Sequence, residues 1–337
     1  MHKTNIGIFK IAQTRVNWPA VAEWLTFIGV QLPLDVIGQI GTDDAMDFID
    51  LQMGAGAGEG CPPAVGTDAS ALVALCGKRC YASFEVGLNP NVSKIRTDHA
   101  EYITNVLKSG HGSVLEHATW SFAIENVSRV FTGEMNRHRA GVAISEASMR
   151  YIRLDDVGFT MPSSLELTPE ERAALLEVRD NLGGDPNDLE GIASLVDQEL
   201  NFLQTALSES QLEKAKEGAR KVVASSIFAS AFASMQKWNL DLCNIWKIEE
   251  MTDFTKKKQL TSMFRRIIGM GVSTGGVWTL NARALRHILA LRGSVHAEEE
   301  IFHVFFRIAD IMIADEPLLF GDFVRTEEGW VPKYPKV

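Results

Sequence analysis

A long run of helical periodicity is the feature that most constrains the fold of this chain. Thr168, Pro169, Glu170 and Glu171 combine a capping hydroxyl, a proline at the first helical position and acids in the first turn. Apolar residues then recur at helical spacing through Leu175–Arg179, Leu189–Leu207 and Leu212–Trp238. Because no long polar stretch flanks the segment, residues 155–250 are predicted to be a helical insertion within a single domain spanning residues 1–337.

The flanking regions carry shorter and more mixed patterns. The spacing predicts a helix from Asp68 to Lys78 and a short amphipathic helix that stops at Gly110. A buried strand is predicted over 118–130, entering a helix or turn near Thr132. Two further helices are predicted, over 281–292 and 296–313. The glycines between Gly54 and Gly60 lack the order of a phosphate-binding loop, and we interpret them as a connector.

Composition excludes several classes of function. The net charge of −10 and the pI of about 5.4 argue against binding to nucleic acid polymers or anionic membranes. The longest apolar runs fall short of the roughly 18 residues that a membrane span needs. The four cysteines are too few and too irregular for a disulfide framework, and Cys76 and Cys80 lack a second pair for a metal site. We therefore expect a soluble, cytoplasmic protein without a metal.

The segment 137–151, RHRAGVAISEASMRY, concentrates cationic side chains in an acidic chain. Arginines crowded together repel one another unless phosphate or carboxylate groups lie between them. A solvated basic face paired with surface acids is the alternative interpretation. If residues 137–139 are extended, Arg137 and Arg139 point to one side and His138 to the other.

Two more segments are rich in polar residues that could do chemistry. Residues 111–117, HGSVLEH, place two histidines and a glutamate around a Gly-Ser turn. Further along, Asn281 and Arg292 lie about 20° apart on a helix, whereas Arg283 and His287 point elsewhere. His296 follows Gly293-Ser294, which can break that helix. Each segment alone is modest support for a ligand site.

In this order, the three segments resemble the flavin-dependent thymidylate synthase family of the ThyX type. The match is strongest over 102–154 and 278–302 and weaker around 80–84. The resemblance implies an α+β fold, with a mixed sheet wrapped by helices, and a homotetramer with active sites at subunit interfaces. It also implies C5 methylation of dUMP, with FAD as the hydride source, NADPH as the reductant and methylenetetrahydrofolate as the carbon donor.

The resemblance also assigns residues to roles. Arg292, Ser148 and His111 would be catalytic, with Ser148 binding and activating the substrate rather than attacking it covalently, because no adjacent base is evident. Flavin contacts are assigned to Ser83, His111, Ser113, Glu116, Arg137, His138, Arg139, Asn281, Arg283, His287 and His296. Nucleotide contacts are assigned to Glu134, Arg137, Glu146, Ala147, Ser148, Met149, Arg150, Arg292 and Arg265, with Arg266 as the alternative to Arg265.

The chain departs from the common family pattern in three places. Eight residues separate Arg139 from Ser148 where seven are usual, Gly133-Glu134 stands where His-Gln is common, and the helical insertion lengthens the chain. We hypothesise that flavin chemistry is retained and nucleotide choice has drifted, as in a branch that methylates UMP as well as dUMP in nucleoside-antibiotic pathways. The alternatives are a uridylate hydroxymethylase and a flavin- or nucleotide-binding protein that has lost turnover.

Overall fold

The structure is a computed structural model that describes residues 5–31, 66–96, 98–149, 158–183, 185 and 187–336. The glycine-rich connector at 54–60 and the predicted nucleotide contact Arg150 lie outside the described residues. The chain divides into two units. We call Met1–Ile6, Asn126–Thr132 and Glu146–Gly275 the helical unit, and Gly7–Glu125, Gly133–Ser145 and Gly276–Val337 the sheet unit.

Four strands form the main sheet. They are β1 (Gly7–Gln13), β2 (Thr119–Ser128), β3 (Val142–Glu146) and β4 (Ser273–Asn281). The order across the sheet is β1-β2-β4-β3, and β1 pairs with β2 in the antiparallel sense. Trp120, Phe122 and Ile124 alternate along β2 and are almost fully buried, as expected of a strand with one face in the core. The central strands therefore anchor the core of the sheet unit.

Among the described residues, the first helices of the sheet unit are α1 (Trp18–Phe27), α2 (Asp68–Tyr81) and α3 (His99–Ser109), followed by the 3-10 turn Gly112–His117. The short helix α4 (Arg129–Met135) follows β2 directly. The helical unit then contributes α5 (Pro169–Leu182), α6 (Leu189–Gln198), α7 (Leu200–Ala206), α8 (Glu209–Ile245) and α9 (Phe254–Phe264). The C-terminal part of the sheet unit adds α10 (Ala282–Arg292), α11 (Glu299–Asp315), α12 (Pro317–Phe320) and an antiparallel hairpin of β5 (Phe323–Thr326) and β6 (Gly329–Pro332).

Local sequence signals explain where these helices begin and end. Thr168 caps α5 through a reciprocal capping box with Glu171, which confirms the predicted start. Asp98 caps α3, and Gly110 ends it in the left-handed conformation at φ 71°, as predicted. The helix predicted over 296–313 ends two residues later, at Asp315, just before Glu316-Pro317.

The helical unit has its own apolar core. Its centre is formed by side chains of α5, α6 and α8 that include Leu175, Val178, Val196 and Leu212, each at most 6 % exposed. Phe232 of α8 stacks on Phe159 at 4.7 Å between ring centroids. The ring of Phe232 also fills the space where a side chain at position 271 would begin, since a Cβ on Gly271 would lie 2.4 Å from it.

Residues 137–139 do not meet the condition of an extended segment, and one predicted helix start is wrong. Residues 137–139 form a turn after α4 rather than a strand, with the His138 amide donating to the Met135 carbonyl at 3.1 Å. The last long helix begins at Glu299 instead of at His296, because Ser294 is held by a bridge to Gly329 in the hairpin. Both segments are set by contacts distant in sequence, which periodicity does not report.

The described residues combine helices with antiparallel strands, which is consistent with the predicted α+β class. None of the helices in the described ranges has both the length and the apolar content that crossing a membrane requires.

Candidate functional site

The start of α10 fixes the first of the predicted side chains. Asn281 is the N-cap of α10, and its side-chain oxygen accepts from the Ala284 amide at 2.8 Å. The backbone N–H of Asn281 donates to the Gly141 carbonyl at 3.0 Å. Gly141 has a φ of 70°, and a Cβ there would lie 2.5 Å from the side-chain nitrogen Nδ2 of Asn281. This close approach therefore requires glycine.

Arg283 extends from the first turn of α10 to the 111–117 segment. Its guanidinium donates to Glu116 at 2.7 Å, and both side chains are about half exposed. A Cβ on Gly112 would lie 3.0 Å from Arg283 Nε, so the Gly-Ser turn gives room for the arginine. The structure thus brings together two of the three segments singled out by sequence, within the sheet unit.

Glu134 links the third segment to the end of α10. One carboxylate oxygen lies 3.1 Å from an Arg137 guanidinium nitrogen, and the other lies 3.0 Å from Arg292. Arg137 is 73 % exposed, whereas Arg292 is 20 % exposed. The unusual carboxylate at position 134 therefore has two cationic partners, which offsets the like-charge cost expected beside an anionic ligand.

His138 completes this arrangement. Arg292 Nε donates to His138 Nε2 at 3.0 Å, which requires that nitrogen to be unprotonated. Burial lowers the pKa of His138, Arg292 and His287 lower it further, and Glu134 raises it. The His287 ring meets the His138 ring edge-on at 6.4 Å. We refer to Glu134, Arg137, His138, His287 and Arg292 as the arginine–histidine cluster.

Other predicted flavin contacts have partners outside this cluster. His111 packs edge-on against Tyr81 at 5.7 Å, and the Ser83 hydroxyl donates to the Lys78 carbonyl at 3.4 Å. Among the described residues, the side chains of Ser113, Arg139 and His296 are exposed and make no hydrogen bond with another predicted residue. They remain available for a ligand.

The predicted nucleotide contacts 146–149 belong to the helical unit, where sequence reasoning missed their main partner. Arg129, the first residue of α4 directly after β2, forms an ion pair with Glu146 and donates to the Ala147 carbonyl at 2.8 Å. The Ala147 amide donates to the Gly275 carbonyl at 2.9 Å. Burial lowers the pKa of the Arg129 guanidinium, which Glu146 counteracts. The sequence signal for this role of Arg129 is a charged residue directly after an alternating apolar run.

The helical unit also carries the two candidates for the upstream arginine. Arg265 and Arg266 follow α9 in a single 3-10 turn, and both are exposed. Arg265 is close enough to Arg129 to lower the pKa of its guanidinium. This proximity favours Arg265 over Arg266 as the residue associated with the 146–149 segment.

The helical unit also contains an open cavity of 570 Å³. Leu165, Arg172, Asp188 and Val222 are among its lining residues. None of the predicted site residues lines it, so we do not assign the cavity to the candidate site.

Comparison with known proteins gives an independent result. Residues 65–318 match the family model described as thymidylate synthase complementing protein. The flavin-dependent thymidylate synthase of Mycolicibacterium gilvum is 28 % identical over 267 residues, covering 78 % of this chain and 84 % of that protein. Proteins with the same name from Corynebacterium diphtheriae and Mycobacterium marinum are 25 % and 29 % identical, covering 76 % and 75 % of this chain and 80 % and 79 % of the relatives.

Proposed function

The chain belongs to the thymidylate synthase complementing protein family, and on this premise we propose that it catalyses flavin-dependent C5 methylation of dUMP, UMP or both. The arginine–histidine cluster carries the proposal, because it joins His138 to Arg292 across 154 positions of sequence. The names of the relatives, flavin-dependent thymidylate synthase, support the use of a flavin. We also propose that the chain has the fold of the ThyX-type enzymes.

The side chains present fit a flavin nucleotide. Arg283 beside Glu116, together with the exposed Arg139 and His287, offers donors to anionic and carbonyl groups. Gly112 leaves space beside Arg283 that a side chain would fill. We assign FAD to these residues and to the other predicted flavin contacts of the sheet unit. Bound in reduced form, it would supply the hydride, with NADPH as reductant and methylenetetrahydrofolate as carbon donor.

We assign nucleotide recognition to two sets of residues. Arg137 and Arg150 would bind the 5′-phosphate, because guanidinium groups donate two parallel hydrogen bonds to phosphate oxygens. Arg265 is kept as a further nucleotide contact without an assigned group. Arg292 would meet the uracil carbonyl edge, where negative charge builds as C5 becomes nucleophilic, and a cation already oriented by Glu134 stabilises such charge at little reorganisation cost. Ser148 and the backbone of 147–149 would add hydrogen bonds.

We propose a homotetramer, supported by an exposed apolar stripe on α8. Residues 222–236 contain no charged side chain. At 100° per residue, Val223, Ile227 and Trp238 lie within about 60° of one another, and they are 45 %, 64 % and 54 % exposed. An uncharged stripe of this kind on a long helix is typical of a helix–helix interface.

The decisive experiment is anaerobic reduction of the purified protein, followed by addition of dUMP or UMP with methylenetetrahydrofolate and measurement of the product mass. We expect flavin oxidation coupled to a C5-methylated nucleotide. A hydroxymethylated product would replace the methylation proposal with the alternative chemistry. Yellow protein that neither oxidises NADPH nor yields product with either nucleotide would contradict the proposed activity.

Comparing the two nucleotides tests the idea of drift in the same reaction. Turnover of UMP at a rate within about tenfold of dUMP corresponds to a difference of roughly 1.4 kcal/mol or less in transition-state stabilisation, and would support relaxed sugar choice. Strict rejection of UMP would contradict it. Arg292→Gln serves as the variant that should lose turnover while retaining bound flavin.

A further inference from the structure

The carboxylate of Glu134 is shared between two arginines of different exposure. One oxygen accepts from the exposed Arg137 and the other from the largely buried Arg292. A carboxylate used in this way has both oxygens engaged, so a ligand that takes one arginine also frees one carboxylate oxygen.

Arg292 is in turn held at both ends of its guanidinium. A terminal nitrogen meets Glu134 at 3.0 Å, and Nε donates to His138 Nε2 at 3.0 Å. The second contact is possible only while His138 is neutral, because a protonated ring would place a hydrogen and a positive charge against the guanidinium. Without the Glu134 carboxylate, the Arg292 guanidinium would favour moving away from the half-buried His138 imidazole into solvent.

The charged and titratable groups that face His138 come from the two elements packed against it. Glu134 lies on α4, and His287 and Arg292 lie on α10. Arg292 lowers the pKa of His138 by more than Glu134 raises it. Arg292 and Glu134 therefore shift the pKa of His138 in opposite directions. The larger shift comes from Arg292 and depends on where its guanidinium is held.

We propose that Glu134 is a positioning residue that acts through Arg292, holding the guanidinium against His138 and keeping Arg137 on its second oxygen until an anionic group of the ligand takes Arg137. This inference rests on the proposed function, in which Arg137 binds phosphate and Arg292 meets uracil. Binding of the nucleotide then exchanges one partner of Glu134 and leaves the Arg292 contact intact.

The sign of a titration shift tests this arrangement without substrate. In protein carrying ¹³C-labelled histidine, the signal of His138 is assigned by its loss in His138→Gln, and its titration is followed by NMR. If Glu134 positions Arg292, Glu134→Gln releases the guanidinium and the titration of His138 moves to higher pH. If Glu134 acts only as a nearby charge, the same substitution moves the titration to lower pH, and the proposal is wrong.

Two further variants keep the result interpretable. In an Arg292→Gln background, Glu134→Gln should move the His138 titration only downward, because no guanidinium remains to be released. Arg137→Gln leaves the Glu134–Arg292 contact in place and should preserve the contact between Arg292 and His138. An upward shift with Arg137→Gln as large as that with Glu134→Gln would overturn the proposal. Glu217→Gln, which removes an exposed partner of Arg220 in the helical unit, is the matched control for loss of a carboxylate.

Kinetics provide the second readout. Glu134→Gln should lower kcat by roughly tenfold or more, as expected for loss of an oriented charged group, whereas Arg137→Gln should act mainly on KM for the nucleotide. Equal effects of both variants on KM alone would contradict positioning. If no nucleotide is turned over by the wild-type protein, the proposed function fails while the NMR test of Glu134 still gives its answer.

Discussion

At the scale of single residues, Arg286 and Glu316 show how partners inside the protein meet buried charge. Arg286 is 2 % exposed and donates to both oxygens of Asp322, at 2.6 and 2.8 Å, and to the Leu319 carbonyl. Glu316 is buried with hydrogen bonds from Thr67 and from the Trp120 indole. A guanidinium or carboxylate that has lost its water must recover those interactions inside the protein.

His99 is a buried histidine that makes stability depend on pH. It is 8 % exposed, its Nε2 lies 2.9 Å from the Ser70 hydroxyl, and its Nδ1 has no hydrogen-bond partner among the described residues. The pKa of His99 is lowered from 6.5 to about 4, mainly by burial and also by Lys78, while Asp98 acts in the opposite direction. The folded state therefore favours neutral His99, and unfolding takes up a proton between these two pH values.

We predict that replacing His99 by Gln flattens this part of the stability profile. The stabilisation from neutral His99 is fully present above pH 6.5 and is lost as the pH falls toward 4. Relative to His99→Gln, the wild-type free energy of unfolding should fall by about 3 kcal/mol across that window. Urea denaturation at several pH values measures it. Parallel profiles would contradict the prediction, and the exposed His117→Gln is the control.

At the scale of elements, local sequence signals decide most helix boundaries. The Thr168 capping box and Gly110 act on backbone groups within a few residues of themselves, so their effect can be predicted without tertiary structure. Residues 137–139 and His296 behave differently. Their conformations depend on α10 and on the C-terminal hairpin, and periodicity within the segment carries no information about those partners.

We predict that Thr168→Ala destabilises the helical unit by about 1 kcal/mol, because the Glu171 amide at the start of α5 loses its acceptor. Thr168→Ser keeps the hydroxyl and should change the free energy of unfolding by a few tenths of a kcal/mol. Chemical denaturation followed by circular dichroism compares the two variants. Equal losses for Ala and Ser would show that the methyl group, rather than the cap, carries the stabilisation.

At the scale of the whole molecule, the exposed stripe on α8 is the surface at which we expect subunits to associate. A helix that leaves Val223, Ile227 and Trp238 in water exposes apolar area that association would bury. The helical unit has its own core with α5 and α6, to which α8 contributes Leu212, Ala215 and Ala219, ahead of the stripe along the helix. The stripe is therefore not needed to hold this unit together.

We predict that Ile227→Glu converts the proposed homotetramer to smaller species, because it places a charge inside an apolar interface. Light scattering coupled to gel filtration measures the mass. Ala233→Glu adds the same charge to the same helix outside the stripe and should leave the mass unchanged. A tetramer that survives Ile227→Glu would show that subunits associate through another surface.

The sequence by itself determined the helix-rich character of residues 168–245, the caps, and the three polar segments whose order resembles one enzyme family. It also identified Glu134 as unusual. Only the tertiary structure decided that Glu134 bridges Arg137 and Arg292, that Arg292 meets His138, and that Arg129 holds Glu146. The physical reason is the distance along the chain over which each interaction acts. Caps and periodicity act within a few residues, whereas these contacts join side chains up to 158 positions apart. Their partners are set by the packing of the strands and helices that carry them.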